Sequence, residues 1–138
     1  MELERLHLFG ESVSLSWAVR AGNVIHVAGM VGMKVDFDAP SLEEYDFPEG
    51  VEAQMRQAYA NIAWILGKFG ASITDIAQQT LFFVGDGADV AAANKVVRRE
   101  VFGYAAPASA MAGVANLFDP RCLLEIQATA YLNQTEAN

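Results

Sequence analysis

The sequence is poor in the residues that build common catalytic and structural centres. Cys122 is the sole cysteine among 138 residues, so no disulfide can form within the chain. That fits a reducing compartment. Histidine occurs twice, at His7 and His26. A zinc site needs three or four closely placed Cys, His or carboxylate ligands. No such spacing is present, so no metal is expected. Positive charge is also scarce. Nine basic residues face seventeen acidic ones, a net charge of −8. Such a surface repels phosphate backbones, and nucleic acid is not an expected partner. No apolar run approaches the ~20 residues that cross a bilayer, so no membrane is expected either. The opening "MELERLHLF" has neither the n-region nor the h-region of a signal peptide. A cytoplasmic, soluble protein is the expectation.

A local deficit is equally informative. "YAAPASAMAGVANLF", Tyr104 to Phe118, runs fifteen residues without a charge, and most of them are small. A buried strand or the wall of a ligand site would explain it.

Hydrophobic residues make up 53% of the chain, enough to exclude disorder. The length argues for one domain across residues 1–138. Val13, Leu15, Trp17 and Val19 alternate with Ser14, Ser16, Ala18 and Arg20, the period of a strand. "AGN" at 21–23 reads as a tight turn into "VIHVAGMVGM", a strand apolar on both faces, and the two make a hairpin. Lys34–Gly50 carries six acids, one base and two prolines. It reads as a long surface loop placed to line or cover a cleft. A helix is expected from Pro48, with Asp46 as N-cap and Glu49 completing a capping box. Its apolar stripe runs Val51, Met55, Ala58, Tyr59, Ile62, Ile65, Leu66, Phe69, and Gly70 ends it. Ile76–Gly85 is a third strand, Asp86 or Asp89 starts a second helix, and 108–117 is a fourth strand. The fifth strand alternates from Cys122 to Leu132, and the tail Asn133–Asn138 reads as frayed. Two helices cover one face of the resulting sheet. The other face then needs a partner, which an oligomer supplies.

Five segments in register carry a family resemblance: "AVRAGNVIHVAGMVG", "QMRQAYANIAWILGKFGASITDI", "TLFFVGDGADVAAANKVVRREVF", "APASAMAGVANL" and "LLEIQATAYL". In order and spacing the chain resembles the Rid (reactive intermediate deaminase) or YjgF family over roughly 12–132. The resemblance implies a chorismate-mutase-like α+β fold, with a mixed sheet and two helices on one face. It implies a homotrimer with small-molecule ligands in the clefts between subunits. It also implies hydrolysis of enamines and imines to keto compounds and ammonia, with no cofactor. Some relatives carry an older endoribonuclease label.

Residue by residue, the resemblance assigns a ligand-side glycine to Gly29, the second helix's asparagine to Asn94, and the last strand's glutamate to Glu125. Leu15 stands where relatives carry a tyrosine, and Met111 where they carry a cysteine. Ser109 stands where the deaminases carry a carboxylate-binding arginine. A serine hydroxyl offers one uncharged donor in place of a planar cationic fork. Losing the charge-assisted bonds forfeits roughly 1.5–3 kcal/mol, about ten- to a hundredfold in affinity. Poor activity on small imino acids follows. Arg121 and Arg20 are candidate replacements, although a solvated turn residue is the simpler account of each.

Glu125 breaks an apolar strand. It is either a general acid–base in a cleft or a glutamate on a solvent face beside Gln127 and Thr129. Spacing alone leaves the two level, and the resemblance favours the cleft. Asn94 binds either ligand or loop backbone. Trp17 and Leu15 either roof the cleft or belong to the core. His26 reads as a core or interface histidine, and Cys122 as inert core. Three functions compete: an imine hydrolase of altered specificity with a larger, aminomuconate-like substrate; a binding trimer without catalysis; and, disfavoured by charge, a ribonuclease.

Overall fold

The computed structural model describes residues 1–8, 13–41 and 45–133. Residues 42–44 of the acidic loop and 134–138 of the tail, expected to fray, lie outside them. Among the described residues six strands form one sheet: β1 (Leu3–His7), β2 (Ser16–Ala21), β3 (Val24–Val31), β4 (Ile76–Phe83), β5 (Ala108–Gly113) and β6 (Leu124–Tyr131). Their order is β1-β2-β3-β6-β4-β5. All neighbours run antiparallel except β4 and β5. Helices α1 (Val51–Gly67) and α2 (Gly87–Phe102) follow β3 and β4, and a short 3-10 turn, Ile73–Asp75, leads into β4. The fold is α+β, with a mixed sheet and two helices.

Strand β1 escapes periodicity because "LERLH" has no buried face to alternate against; only Leu6 is half-buried. Strand β2 starts at Ser16 instead of Val13, and β5 stops at Gly113 instead of Leu117. The expected hairpin forms, turning at Gly22 with φ +63.

The start of α1 differs from expectation. Asp46 does not cap it, because its carbonyl accepts the Lys34 N–H at 2.7 Å in an isolated antiparallel bridge. The chain turns helical only after Gly50, whose φ of +93 suits glycine and whose carbonyl takes the Gln54 N–H. Asp86 does cap α2, accepting the Ala88 N–H at 2.9 Å.

Met55, Ala58, Tyr59, Ile62, Ile65 and Leu66 are buried along α1. They pack on a sheet face made by alternate residues of β6 (Leu124, Ile126, Ala128 and Ala130) and by Ile25, Val27 and Met30 of β3. Residues paired across strands project to the same face. The opposite face therefore carries Glu125, Gln127 and Thr129 of β6, Thr80 and Phe82 of β4, and His26 of β3. That face is small and polar as well as apolar, and His26 is exposed on it instead of lying in the core.

Close contacts join β3 to α1 at one end. A Cβ on Gly32 would collide with the Gln54 backbone. Beside it, buried Asn61 donates to the carbonyls of Val31 at 3.2 Å and Met33 at 2.9 Å.

Candidate functional site

A pocket of ≈ 430 Å³ opens where the ends of β2, β3 and β6 meet the loops. Its size is that of a small-molecule site. Gly29 and Glu125 form its polar edge, with Leu15, Trp17 and Met33 among its apolar walls. Tyr45 and Phe118 complete the wall from two loops.

Glu125 enters this pocket through β6 parity: Leu124 and Ile126 face the helices, so Glu125 cannot. It is half-buried and has no hydrogen-bond or ion-pair partner among the described residues. Burial alone raises its carboxyl pKa above the usual range. Gly29 makes room for it. A Cβ there would lie 2.7 Å from the Glu125 Cδ. The bulge in β3 between Val27 and Met30 puts Gly29 in that position.

Buried amides hold the pocket walls in place. Gln54 donates to the Pro48 carbonyl at 3.2 Å and to the Arg121 carbonyl at 2.9 Å, and accepts the Leu123 N–H at 3.0 Å. It thus fixes the chain entering β6 two residues before Glu125. Asn61 fixes the exit of β3 in the same way. Neither residue stands out in an apolar-stripe reading. Their signal is two amides seven residues apart on the buried side of α1.

Tyr45 and Phe118 escape a sequence reading because both sit in irregular segments. Tyr45 lies in the acidic loop, which does line the pocket. Its ring meets Phe47 at 5.9 Å and Phe118 at 6.5 Å. Arg121 lies over this aromatic rim, 4.8 Å from the Phe47 ring, and donates to the Tyr45 carbonyl at 3.3 Å. Its ion pair with Asp119 at 3.0 Å holds the Asp119 carboxyl below its usual pKa. Arg20 bonds the Gly22 carbonyl at 2.8 Å and pairs with Glu4. Neither arginine lines the pocket.

Trp17 is both wall and core: it is buried and meets Phe37 edge-on at 5.6 Å, while Phe37 stacks on Trp64 at 3.9 Å. Leu15 is largely exposed at the mouth. Cys122 is 1% exposed, and burial pushes its thiol up to about 11.

The other three sequence candidates sit elsewhere. Ser109 pairs with Gln79 and Met111 with Leu81, so both face the helix side, opposite Glu125. Ser109 accepts from Gln79 Nε2 at 3.0 Å, and Gln79 is bound to the Tyr59 hydroxyl at 2.8 Å. Burial raises the Tyr59 pKa. Asn94 of α2 is 7% exposed; its Nδ2 reaches the Met111 sulfur at 3.7 Å. Its Oδ1 is the one buried side-chain polar atom without a partner among the described residues. One chain therefore carries two clusters: Leu15, Trp17, Gly29 and Glu125 on one side, Asn94, Ser109 and Met111 on the other. Among the described residues no group of three or more His, Cys, Asp or Glu is placed to hold a metal ion. Nor is any helix there long and apolar enough to cross a membrane.

Comparison with known proteins bears on this arrangement. The model of the family described as Endoribonuclease L-PSP matches residues 9–132. The chain belongs to this family, that of the YjgF and Rid proteins. A RutC family protein of Pyrococcus abyssi is 33% identical over 117 residues, covering 84% of each chain. A YjgF/YER057c/UK114 family member from Mycobacterium tuberculosis superposes with a TM-score of 0.77 at 26% identity, covering 95% of this chain and all of the other. RidA from an Antarctic Psychrobacter superposes at 0.73 with 26% identity, over 93% and 94% of the two chains. The fold is thus that of the YjgF family.

Proposed function

We propose that this YjgF/Rid family chain is a cofactor-independent hydrolase of an enamine or imine. The observation that carries the reading is Glu125: a partnerless carboxyl of raised pKa on the wall of an apolar pocket. Imine hydrolysis needs one group that gives a proton to nitrogen and takes one from water. A carboxyl whose pKa burial has raised holds a proton more readily than a free one and can still give it up, which suits both roles. Glu125 protonates the imine nitrogen, and its carboxylate then takes a proton from the water that attacks the carbon. The resulting carbinolamine releases ammonia after a second proton transfer to nitrogen, and its C–O–H becomes C=O. The balance is one imine and one water to one carbonyl compound and one ammonia.

The substrate on this reading is larger than a three-carbon imino acid, aminomuconate-like in length. A pocket of ≈ 430 Å³ with walls from Leu15, Trp17, Met33, Tyr45 and Phe118 rewards an extended apolar body. The reading also makes the protein a homotrimer, in which the Asn94–Ser109–Met111 cluster of one protomer faces the Glu125 pocket of the next. The unpartnered Asn94 Oδ1 then accepts a hydrogen bond from ligand.

The test measures ammonia release from imino acids generated in situ by an amino-acid oxidase. Wild type should act on leucine- or phenylalanine-derived imines in preference to the alanine-derived one. Glu125→Ala should lower turnover by about 10²-fold or more with an unchanged circular dichroism spectrum. Unchanged turnover in that variant would remove Glu125 from the mechanism. A ligand bound and returned unchanged would instead favour a binding trimer.

A further inference from the structure

Three of the nine basic residues, Lys95, Arg98 and Arg99, fall within five positions of α2. Spacings of three and four bring Lys95 against both arginines, where like charges repel. Of the six other cations three pair, Arg20 with Glu4, Arg56 with Glu52 and Glu100, and Arg121 with Asp119, and a fourth, Lys68, lies over the Trp64 ring. Among the described residues none of the three on α2 forms an ion pair. The helix dipole accounts for one cation near the last turn, which Arg99 supplies. It does not account for three around a hollow.

With Gly103, Tyr104 and Ala106 these cations line a concavity of ≈ 500 Å³. Arg98 is half-buried, and its Nη2 donates to the Pro107 carbonyl at 3.3 Å. That bond steadies the guanidinium against the chain entering β5, and its other N–H groups have no partner among the described residues. Tyr104 is fully exposed on the same hollow, just past the turn at Gly103, where φ is +58. The concavity shares no residue with the Glu125 pocket.

We propose that this concavity is a second ligand site, taking a small organic oxyanion with a planar body. The phosphate or carboxylate group sits on Lys95, Arg98 and Arg99, and the planar body lies on the Tyr104 ring. An arginine fork fits either anion, and lysine adds a point charge. Three cations on a chain of net charge −8 neutralise too few phosphates to hold a polynucleotide.

The full chain is titrated with phenyl phosphate, benzoate and inorganic phosphate at constant ionic strength, followed by backbone amide shifts. Phenyl phosphate or benzoate should saturate, with shifts confined to the C-terminal half of α2 and residues 103–107. Which of the two binds tighter identifies the anion. Inorganic phosphate should bind about tenfold weaker or worse, and Tyr104→Ala should erase that gap. The double variant Lys95→Ala/Arg98→Ala should lose at least about tenfold in affinity with its spectrum otherwise intact. Lys95 is exposed and Arg98 half-buried, outside the core, and Glu125→Gln should bind as wild type. No saturation by any probe at several millimolar would overturn the proposal. Undiminished binding by the double variant, or tighter binding of an oligoribonucleotide than of phenyl phosphate, would overturn it as well.

Discussion

Glu125 and Gln79 sit on adjacent strands of one sheet, and both are polar residues among apolar neighbours. Their treatment differs completely. Gln79 is fully buried and bonded to Tyr59 and Ser109. Glu125 is half-buried and bonded to nothing described. Strand parity sends Gln79 toward α1, where the space is closed and a lone amide would be costly, so it has partners. It sends Glu125 to the face no helix covers, at a pocket edge. A satisfied amide holds structure together. An unsatisfied carboxyl whose pKa is raised is available for chemistry.

Substitutions can sharpen that contrast. The largest effect is expected from Gly29→Ala. Its new Cβ would lie 2.7 Å from the Glu125 Cδ, the far end of a flexible side chain. The carboxyl should swing aside at little cost to the fold. Imine turnover should fall by about 10²-fold, as for loss of the acid–base group itself, while the melting temperature stays near wild type. A large drop in melting temperature would mean the two residues form a structural unit.

Gln79→Ala should behave in the opposite way. It strands the Tyr59 hydroxyl in the core and opens a cavity under β4. About 2–4 kcal/mol of stability should be lost, read by urea unfolding. Ser109→Ala removes only the outer end of that network, at an exposed edge strand, and should cost about 1 kcal/mol or less. If both variants unfold alike, Ser109 is more than a terminus of the network.

Much of this contrast is readable in the sequence, and the reasons for the rest are physical. Alternation along 122–132 separates Glu125 from Leu124 and Ile126, so its odd position is legible. That the helices cover only one face is inferable from there being two of them. The β3 bulge that brings Gly29 to Glu125 leaves no mark in hydrophobic periodicity. The parallel pairing of β4 with β5, which turns Ser109 toward Gln79, depends on register between distant segments. Tyr45 and Phe118 belong to segments whose shape is set by tertiary contacts, such as the Lys34–Asp46 bridge and the Arg121 shelf. The same bridge moves the start of α1 from Pro48 to Val51, overriding a local capping signal.

The smallest predicted effect concerns pH, and its sign follows from burial. The Glu125 carboxyl has a higher pKa folded than unfolded. The folded chain therefore binds the proton more tightly, and stability falls as pH rises from the unfolded value of about 4.3 through the raised folded one. Below about pH 4 both states are protonated and the penalty vanishes. Glu125→Gln removes the titration while keeping the shape. The variant should thus melt above wild type at pH 8, and the gap should close as pH falls toward 4. Solvent reaches this half-buried group, so the gap should be about a degree or two at most. A gap of opposite sign would mean that the carboxylate, and not the acid, is the form the folded pocket favours.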